Sequence, residues 1–272
     1  MFMTRLASSL VLVVLSLFTI LKGGLVLAAV LLFLALVGYR ELMKACSLGE
    51  DGRVNGLEAV GYGGIIAYYL LMVFSNDRIW LFLVLLMLLI AFMILYVFSY
   101  PRYRAEQVMC AFFNALYAPV MLSCIYLVRS LPYGIYSVWM IFISSWICDT
   151  CAYAVGILIG RHKMVPRLSP KKSIEGAVGG VAGSAIVGAL YGYFVVESVI
   201  PHQKITWIFV LISAFGAVIS QVGDLAASAI KRNHEIKDYG KLIPGHGGVM
   251  DRFDSVIFTA PMIYLLVLVF IR

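Results

Sequence analysis

The sequence predicts an all-α polytopic integral membrane protein with about nine transmembrane helices and a cytoplasmic N-terminus. Three observations predict it. Hydrophobic residues fill 62% of the 272 positions and charged residues only 13%, against about 25% charged in a soluble domain. The apolar residues gather in runs close to the roughly 20 residues that a membrane span needs. The basic residues then fall on alternate sides of those runs.

Taken in order, the apolar segments are 6–21, 24–39, 57–74, 79–99, 107–128, 134–159, 175–197, 204–230 and 249–271. The first two are short and are separated by Lys22-Gly23-Gly24, which reads as an uncleaved helical hairpin. A signal peptide is the competing reading, because Arg5 precedes an apolar core and Ala28-Ala29 follows it. The second run continues too far for a simple cleavage region. Segments 57–74, 79–99 and 107–128 carry only the generic signature of membrane helices. Segment 134–159 differs, because it holds Asp149 among Ser145, Trp146 and Tyr153. In segment 175–197, Gly176, Gly180, Ser184, Gly188 and Gly192 recur every fourth residue, the spacing that lets helices approach closely. Segment 204–230 encloses Asp224, and segment 249–271 opens with Asp251 and Asp254. Residues 1–133 are therefore expected to be a helical scaffold. Residues 134–272 are expected to form the catalytic region, with cytoplasmic loops at 160–174 and 231–248.

With the N-terminus inside, only Lys22, Arg78, Arg129, Lys204 and Arg272 fall outside; the other sixteen of the 21 Lys and Arg lie on the cytoplasmic side. That asymmetry is a strong positive-inside signal. It favours nine spans over eight, since dropping one scrambles the alternation. The net charge of +7 suits loops that face anionic lipid. Nucleic acid is a poor partner, because the basic residues are scattered over several short loops. Five cysteines, at 46, 110, 124, 148 and 151, make no plausible disulfide set. Cys148 and Cys151 form a C-x-x-C on an expected membrane helix, where buried thiols are the simpler reading. No internal repeat is visible, which argues against a carrier that uses Asp149 and Asp224 as relay groups.

The chemistry concentrates in Ser228–Asp254. An ionised Asp at the centre of a span costs on the order of 2.5–3.5 kcal/mol on insertion scales, so Asp149 and Asp224 need something to offset it. Ser220, Asp224 and Ser228 form a polar stripe at i, i+4 and i+8. Asp251 and Asp254 share one helix face at i and i+3. As helix N-terminal carboxylates, one of them is well explained by the dipole and two less well. Hard oxygen ligands with room for water suit Mg²⁺, which takes one or two carboxylates plus substrate phosphates. Asp224, Asp251 and Asp254 are the expected metal ligands. Lys231, Arg232, Lys237 and Lys241 can neutralise a polyphosphate. Gly247 and Gly248, just ahead of a helix, allow backbone N–H groups to approach phosphate oxygens, and His246 stands beside them. A second basic loop carries Lys171, Lys172 and Ser173 at a helix start, where positive charge is unfavourable unless an anion sits there.

These residues resemble the phosphatidate cytidylyltransferase (CDP-diacylglycerol synthase) family. Its signature stands here as Ser228, Ile230-Lys231-Arg232, Lys237-Asp238, Gly240, Ile243-Pro244, His246-Gly247-Gly248 and Asp251-Arg252-Phe253-Asp254, without departure over 27 positions. Ser145-Trp146 with Asp149, Ala152 and Tyr153 is similar to a further family segment, as are Ser169-Pro170-Lys171-Lys172-Ser173 with Glu175-Gly176, and Gly223-Asp224. The resemblance implies transfer of CMP from CTP to phosphatidic acid, giving CDP-diacylglycerol and pyrophosphate. It implies Asp224, Asp251, Asp254, Lys237 and Arg252 as catalytic residues and a cation centre of Mg²⁺ with a second cation. Asp149, Lys171, Lys172, Ser173, Lys231, Arg232, Lys241, His246, Gly247 and Gly248 are the implied substrate contacts. Whether the 171–173 loop meets lipid phosphate or CTP is open at this point, as is a homodimer. A bacterial inner membrane, with the site on its cytoplasmic face, is the expected location.

Overall fold

The computed structural model describes residues 13–49, 53–199, 205–243 and 247–271. A short apolar helix, α1, runs over Val13–Lys22; the remainder of the expected first span lies outside the described residues. Among the described residues, eight further helices are long and apolar enough to cross a membrane. They are α2 (Gly24–Ala45), α3 (Gly56–Phe74), α4 (Ile79–Phe98), α5 (Ala105–Arg129), α6 (Gly134–Ile159), α7 (Ile174–Val196), α8 (Thr206–Asn233) and α9 (Met250–Phe270). The all-α membrane architecture expected from the sequence is therefore what the chain forms. Helix α8 continues three residues past the expected end of its apolar run, so Lys231 and Arg232 sit in its last turn.

The loop between α6 and α7 is more ordered than expected. It folds into an antiparallel hairpin of β1 (Lys163–Val165) and β2 (Ser169–Ser173), with Lys163 opposite Ser173 and Val165 opposite Ser169. Ser-Pro-Lys-Lys offers no strand alternation, which is why periodicity missed it. Ser173 ends β2 and caps α7, its side chain accepting the Gly176 N–H at 3.1 Å. Asn55 caps α3 in a reciprocal box with Glu58, at 2.9 and 3.1 Å.

The chain divides into two compact units. One comprises residues up to Tyr126 together with His234–Arg252; the other comprises Leu127–Asn233 and Phe253–Arg272. The first unit is packed around Tyr39, Leu42, Met43, Leu57, Tyr69 and Phe92, all essentially without solvent contact. Its helix α5 contains a π turn over Leu116–Val120, with Pro119 inside it. Proline has no N–H to donate to the helical ladder; the Pro119 carbonyl accepts the Tyr69 hydroxyl at 2.9 Å.

The second unit is assembled on the small-residue stripe of α7. Gly176, Gly180, Ser184 and Gly188 are buried. A Cβ at Gly180 would come within 2.9 Å of the Cys148 carbonyl on α6, and one at Gly188 within 2.2 Å of Ser213 Oγ on α8. The stripe expected from the sequence is thus the seam along which α6 and α8 close on α7. Gln221 fastens the same seam, donating to the Ala177 carbonyl at 2.9 Å. Helix α6 has a π turn at Ile143–Ile147, which ends two residues before Asp149.

Candidate active site

In the second unit, α6, α7, α8 and the hairpin enclose a cavity of about 520 Å³, within the range of small-molecule sites. Its lining includes Asp149, Tyr153, Ile157, Lys163, Lys171, Lys172, Ser173, Gln221 and Asp224. Five residues expected at the site from the sequence therefore border one space: Asp149 on α6, Lys171, Lys172 and Ser173 on β2, and Asp224 on α8. Lys172 Nζ forms an ion pair with Asp224 Oδ2. This pair answers the cost of a carboxylate inside a span: Asp224 is charge-compensated by a lysine brought in from the hairpin. Ser228 Oγ donates to Asp224 Oδ1 at 3.5 Å, so the expected polar stripe does meet over part of its length. Ser220 Oγ, at the stripe's other end, is buried without a hydrogen-bond partner among the described residues.

Two more carboxylates stand in electrostatic reach of Asp224. Asp149 interacts with Asp224 and Lys172, and its Oδ2 accepts the Ser255 hydroxyl at 3.4 Å. Asp254 interacts with Asp224, Asp149 and Lys231, and its Oδ1 accepts the Ser255 N–H at 2.8 Å. The hydrogen-bond partner of Asp149 is thus on α9. Close passage of α8 by α9 is secured by Gly223, where a Cβ would lie 2.8 Å from Phe258 Cβ.

The hairpin is held by Glu175. Its carboxylate accepts the backbone N–H groups of Arg161 and His162, at 3.1 and 3.2 Å, and contacts His162 Nδ1 at 2.5 Å. One side chain at the start of α7 therefore sets where Lys163, Lys171 and Lys172 are carried.

In the first unit, the signature loop is organised by two carboxylates. Asp251 is nearly buried, and its Oδ2 accepts the N–H groups of Tyr239, at 2.8 Å, and Gly248, at 3.0 Å. Glu41, on α2 and 7% exposed, accepts the N–H groups of Val249 at 3.0 Å and Met250 at 2.9 Å. Here the structure departs from expectation. The N–H groups at the start of α9, expected to meet phosphate, donate to protein carboxylates. The glycines serve a different need: a Cβ at Gly240 or Gly248 would sit 2.3 Å from Glu41 Oε1. Gly247 adopts φ +88°, a backbone state that glycine takes at little cost. Lys237, Lys241 and Arg252 are exposed, as is Arg232 at the end of α8. His246 lies outside the described residues.

Glu41, Glu175, Lys163 and Gln221 were not among the expected site residues. Glu41 carried a signal, since an acid in a span is a functional hypothesis by default. The apolar run was drawn to end two residues before it.

The carboxylate chemistry bears on a divalent cation. Among the described residues, no three His, Cys, Asp or Glu side chains are gathered into a metal cage. Mg²⁺ does not need one, since it usually takes one or two carboxylates and completes its shell with water and phosphate oxygens. Asp224 and Asp254, with oxygen-only donors, fit that mode.

Residues 3–270 match the model of the cytidylyltransferase family. The chain is 32% identical over 251 residues to a phosphatidate cytidylyltransferase of Staphylococcus epidermidis, covering 92% of each chain. It is 31% identical over 268 residues to that of Bacillus subtilis, covering 91% of this chain and 96% of the other. With that of Staphylococcus aureus strain N315 it shares 32% identity over 254 residues and 92% of each chain.

Proposed function

The chain belongs to the cytidylyltransferase family, and from that premise we propose how its residues carry out the phosphatidate cytidylyltransferase reaction. A phosphate oxygen of phosphatidic acid bonds to the α-phosphorus of CTP, the bond from that phosphorus to the bridging oxygen of the β-phosphate breaks, and pyrophosphate leaves with the electron pair. The products are CDP-diacylglycerol and pyrophosphate. Phosphate monoesters have a second pKa near about 6, so the attacking oxygen is largely ionised near neutral pH and no strong general base is required.

The obstacle is charge, because two anions must meet. The observation that carries the reading is a cavity bordered by three lysines, one of which, Lys172, is ion-paired with Asp224. Lysines neutralise incoming phosphates, and the carboxylates of Asp149 and Asp224 border the same space. Mg²⁺, when bound, would supply positive charge to the triphosphate and its leaving group. Asp224 and Asp254 are the residues we assign to hold it. Asp251, in the first unit, has two N–H donors on one oxygen, which fix its carboxylate plane as outer partners do for metal-binding groups. Lys231, Arg232, Lys237, Lys241 and Arg252 are assigned to the nucleotide phosphates, and His246 with Gly247 and Gly248 to the shape of the nucleotide pocket. We place the site on the cytoplasmic face of the cell membrane, on the strength of the lysine and arginine asymmetry.

Purified protein in detergent, given labelled CTP and phosphatidate with and without Mg²⁺, tests the assignment. We expect Mg²⁺-dependent transfer of label into the lipid extract. Equal transfer in the presence of a chelator would refute the metal assignment, and absence of any labelled lipid would refute the activity.

A further inference from the structure

The first unit holds a sulfur cluster that has no part in the reaction above. Cys46 caps the C-terminus of α2, and Cys110 lies in the second turn of α5. Their spacing in the chain suggests no disulfide, yet the fold brings the two thiols into hydrogen-bond contact. Asn114, one turn beyond Cys110 and buried, points its amide at both sulfurs: Nδ2 lies 3.8 Å from Cys46 Sγ and 3.7 Å from Cys110 Sγ. The side chain of His234, where the signature segment begins, also hydrogen-bonds Cys46. Cys46 and Cys110 are half-buried, whereas Cys124 and Cys148 are buried.

The thiolate, not the thiol, is the nucleophile, and these neighbours favour it at Cys46. The hydrogen bond with Cys110, the Asn114 amide and the His234 imidazole hold the Cys46 thiol below its ordinary value, against the opposing effect of burial. A partly accessible thiolate with a second cysteine against it is the arrangement that oxidants attack selectively. We propose that Cys46 and Cys110 form a reversible oxidation site for hydroperoxides, closing to a disulfide that releases His234 at the start of the signature segment. The Cys46 sulfur attacks one peroxide oxygen and the O–O bond breaks. The leaving hydroxide or alkoxide takes up the proton that Cys46 released, giving water or an alcohol, and Cys46 becomes a sulfenic acid. The Cys110 sulfur then gives up its proton and attacks the Cys46 sulfur. The S–O bond breaks, and hydroxide leaves with that proton as water. The two thiols have lost two electrons and the peroxide has gained them; a dithiol reductant reverses the change by exchange. On the face we assign to the cytoplasm thiols are kept reduced, so the dithiol is the resting state and the disulfide a transient one. Helix α2 meets the signature segment at two points, Glu41 with the N–H groups of Val249 and Met250, and Cys46 with His234. Turning Cys46 onto Cys110 gives up the second point and leaves the first.

The full wild-type chain in phosphatidylcholine nanodiscs, treated with hydrogen peroxide, digested without reduction and mapped by mass spectrometry, tests the site. The expected result is a peptide pair joined through Cys46 and Cys110 that dithiothreitol separates. Oxidation that spares both cysteines, that stops at sulfenic or sulfinic acid, or that joins either to another cysteine would overturn the proposal. In Cys110→Ser, dimedone is expected to trap a sulfenic acid on Cys46; in Cys46→Ser, none on Cys110. The reverse pattern would overturn the order of attack. His234→Ala is expected to slow alkylation of Cys46 by iodoacetamide about threefold or more, and an unchanged rate would remove the histidine from the site. Amide exchange over residues 234–240 is expected to rise in the oxidised chain and to return on reduction; unchanged exchange there would refute the link to the signature segment. These readouts need no turnover, so they stand or fall separately from the proposed activity.

Discussion

Glu41 holds the helix that begins at Met250: its Oε2 accepts the Met250 N–H at 2.9 Å, across more than two hundred residues of chain. A buried carboxylate at a helix N-terminus gains from the dipole and satisfies N–H groups that have no partner within the helix. With Val249 N–H on the other oxygen, Glu41 determines how α9, and the acids it carries, begins. Glu41→Ala would leave two buried donors unsatisfied. We expect a loss of about 2–4 kcal/mol, seen as a lower Tm in detergent with loss of activity, and partial retention of both in Glu41→Gln. An unchanged Tm in Glu41→Ala would contradict the capping role.

Gly248→Ala tests why glycine stands beside that carboxylate. The added Cβ would meet Glu41 Oε1 at 2.3 Å and Cδ at 2.5 Å, and the carboxylate is pinned by its two N–H donors and cannot swing away freely. Overpacking of this kind costs about 1–3 kcal/mol. In a Glu41→Ala background the penalty should largely vanish, so the double-mutant cycle should show coupling of about 1 kcal/mol or more. Additive effects would mean that glycine is needed for another reason.

Asp224 is expected to be the least replaceable acid of the second unit. Asp224→Asn should lower kcat about a hundredfold or more without lowering the Tm. Lys172→Gln removes the cation that is paired with Asp224. It should therefore reduce the Mg²⁺ concentration needed for half-maximal activity even as kcat falls, because competition for the carboxylate is gone. A higher Mg²⁺ requirement in Lys172→Gln would rule out that competition.

Glu175 anchors the hairpin through three contacts with Arg161 and His162. Glu175→Ala should speed amide exchange over residues 161–173 and lower kcat/KM, with a smaller change in exchange over the rest of the protein. The measurement is exchange followed by mass spectrometry, compared with Glu175→Gln, which keeps an acceptor. Uniform destabilisation of α7 without selective hairpin opening would assign Glu175 to helix stability alone.

Much of this architecture was legible from the chain. Apolar runs marked the spans because a bilayer demands length and hydropathy from each helix separately, whatever its neighbours are. The glycine stripe of α7 was legible for a similar reason, since close packing requires small residues at helical spacing on one side. Asp224 and Asp149 stood out because an acid in a span is costly unless paired.

The partners of those acids were not legible. Asp224 pairs with Lys172, 52 positions earlier, and Asp149 meets Ser255 on α9; no periodicity encodes a meeting of distant segments. The same holds for Glu41, which decides the geometry of a loop whose own sequence suggested that its N–H groups were open to phosphate. Composition and spacing alone established a helical membrane chain and the eight long spans found among its described residues, because those properties are local. Which carboxylate holds backbone, which one pairs with lysine, and which side chains border one cavity were decided by tertiary structure, because side-chain pairing depends on distances that only packing sets.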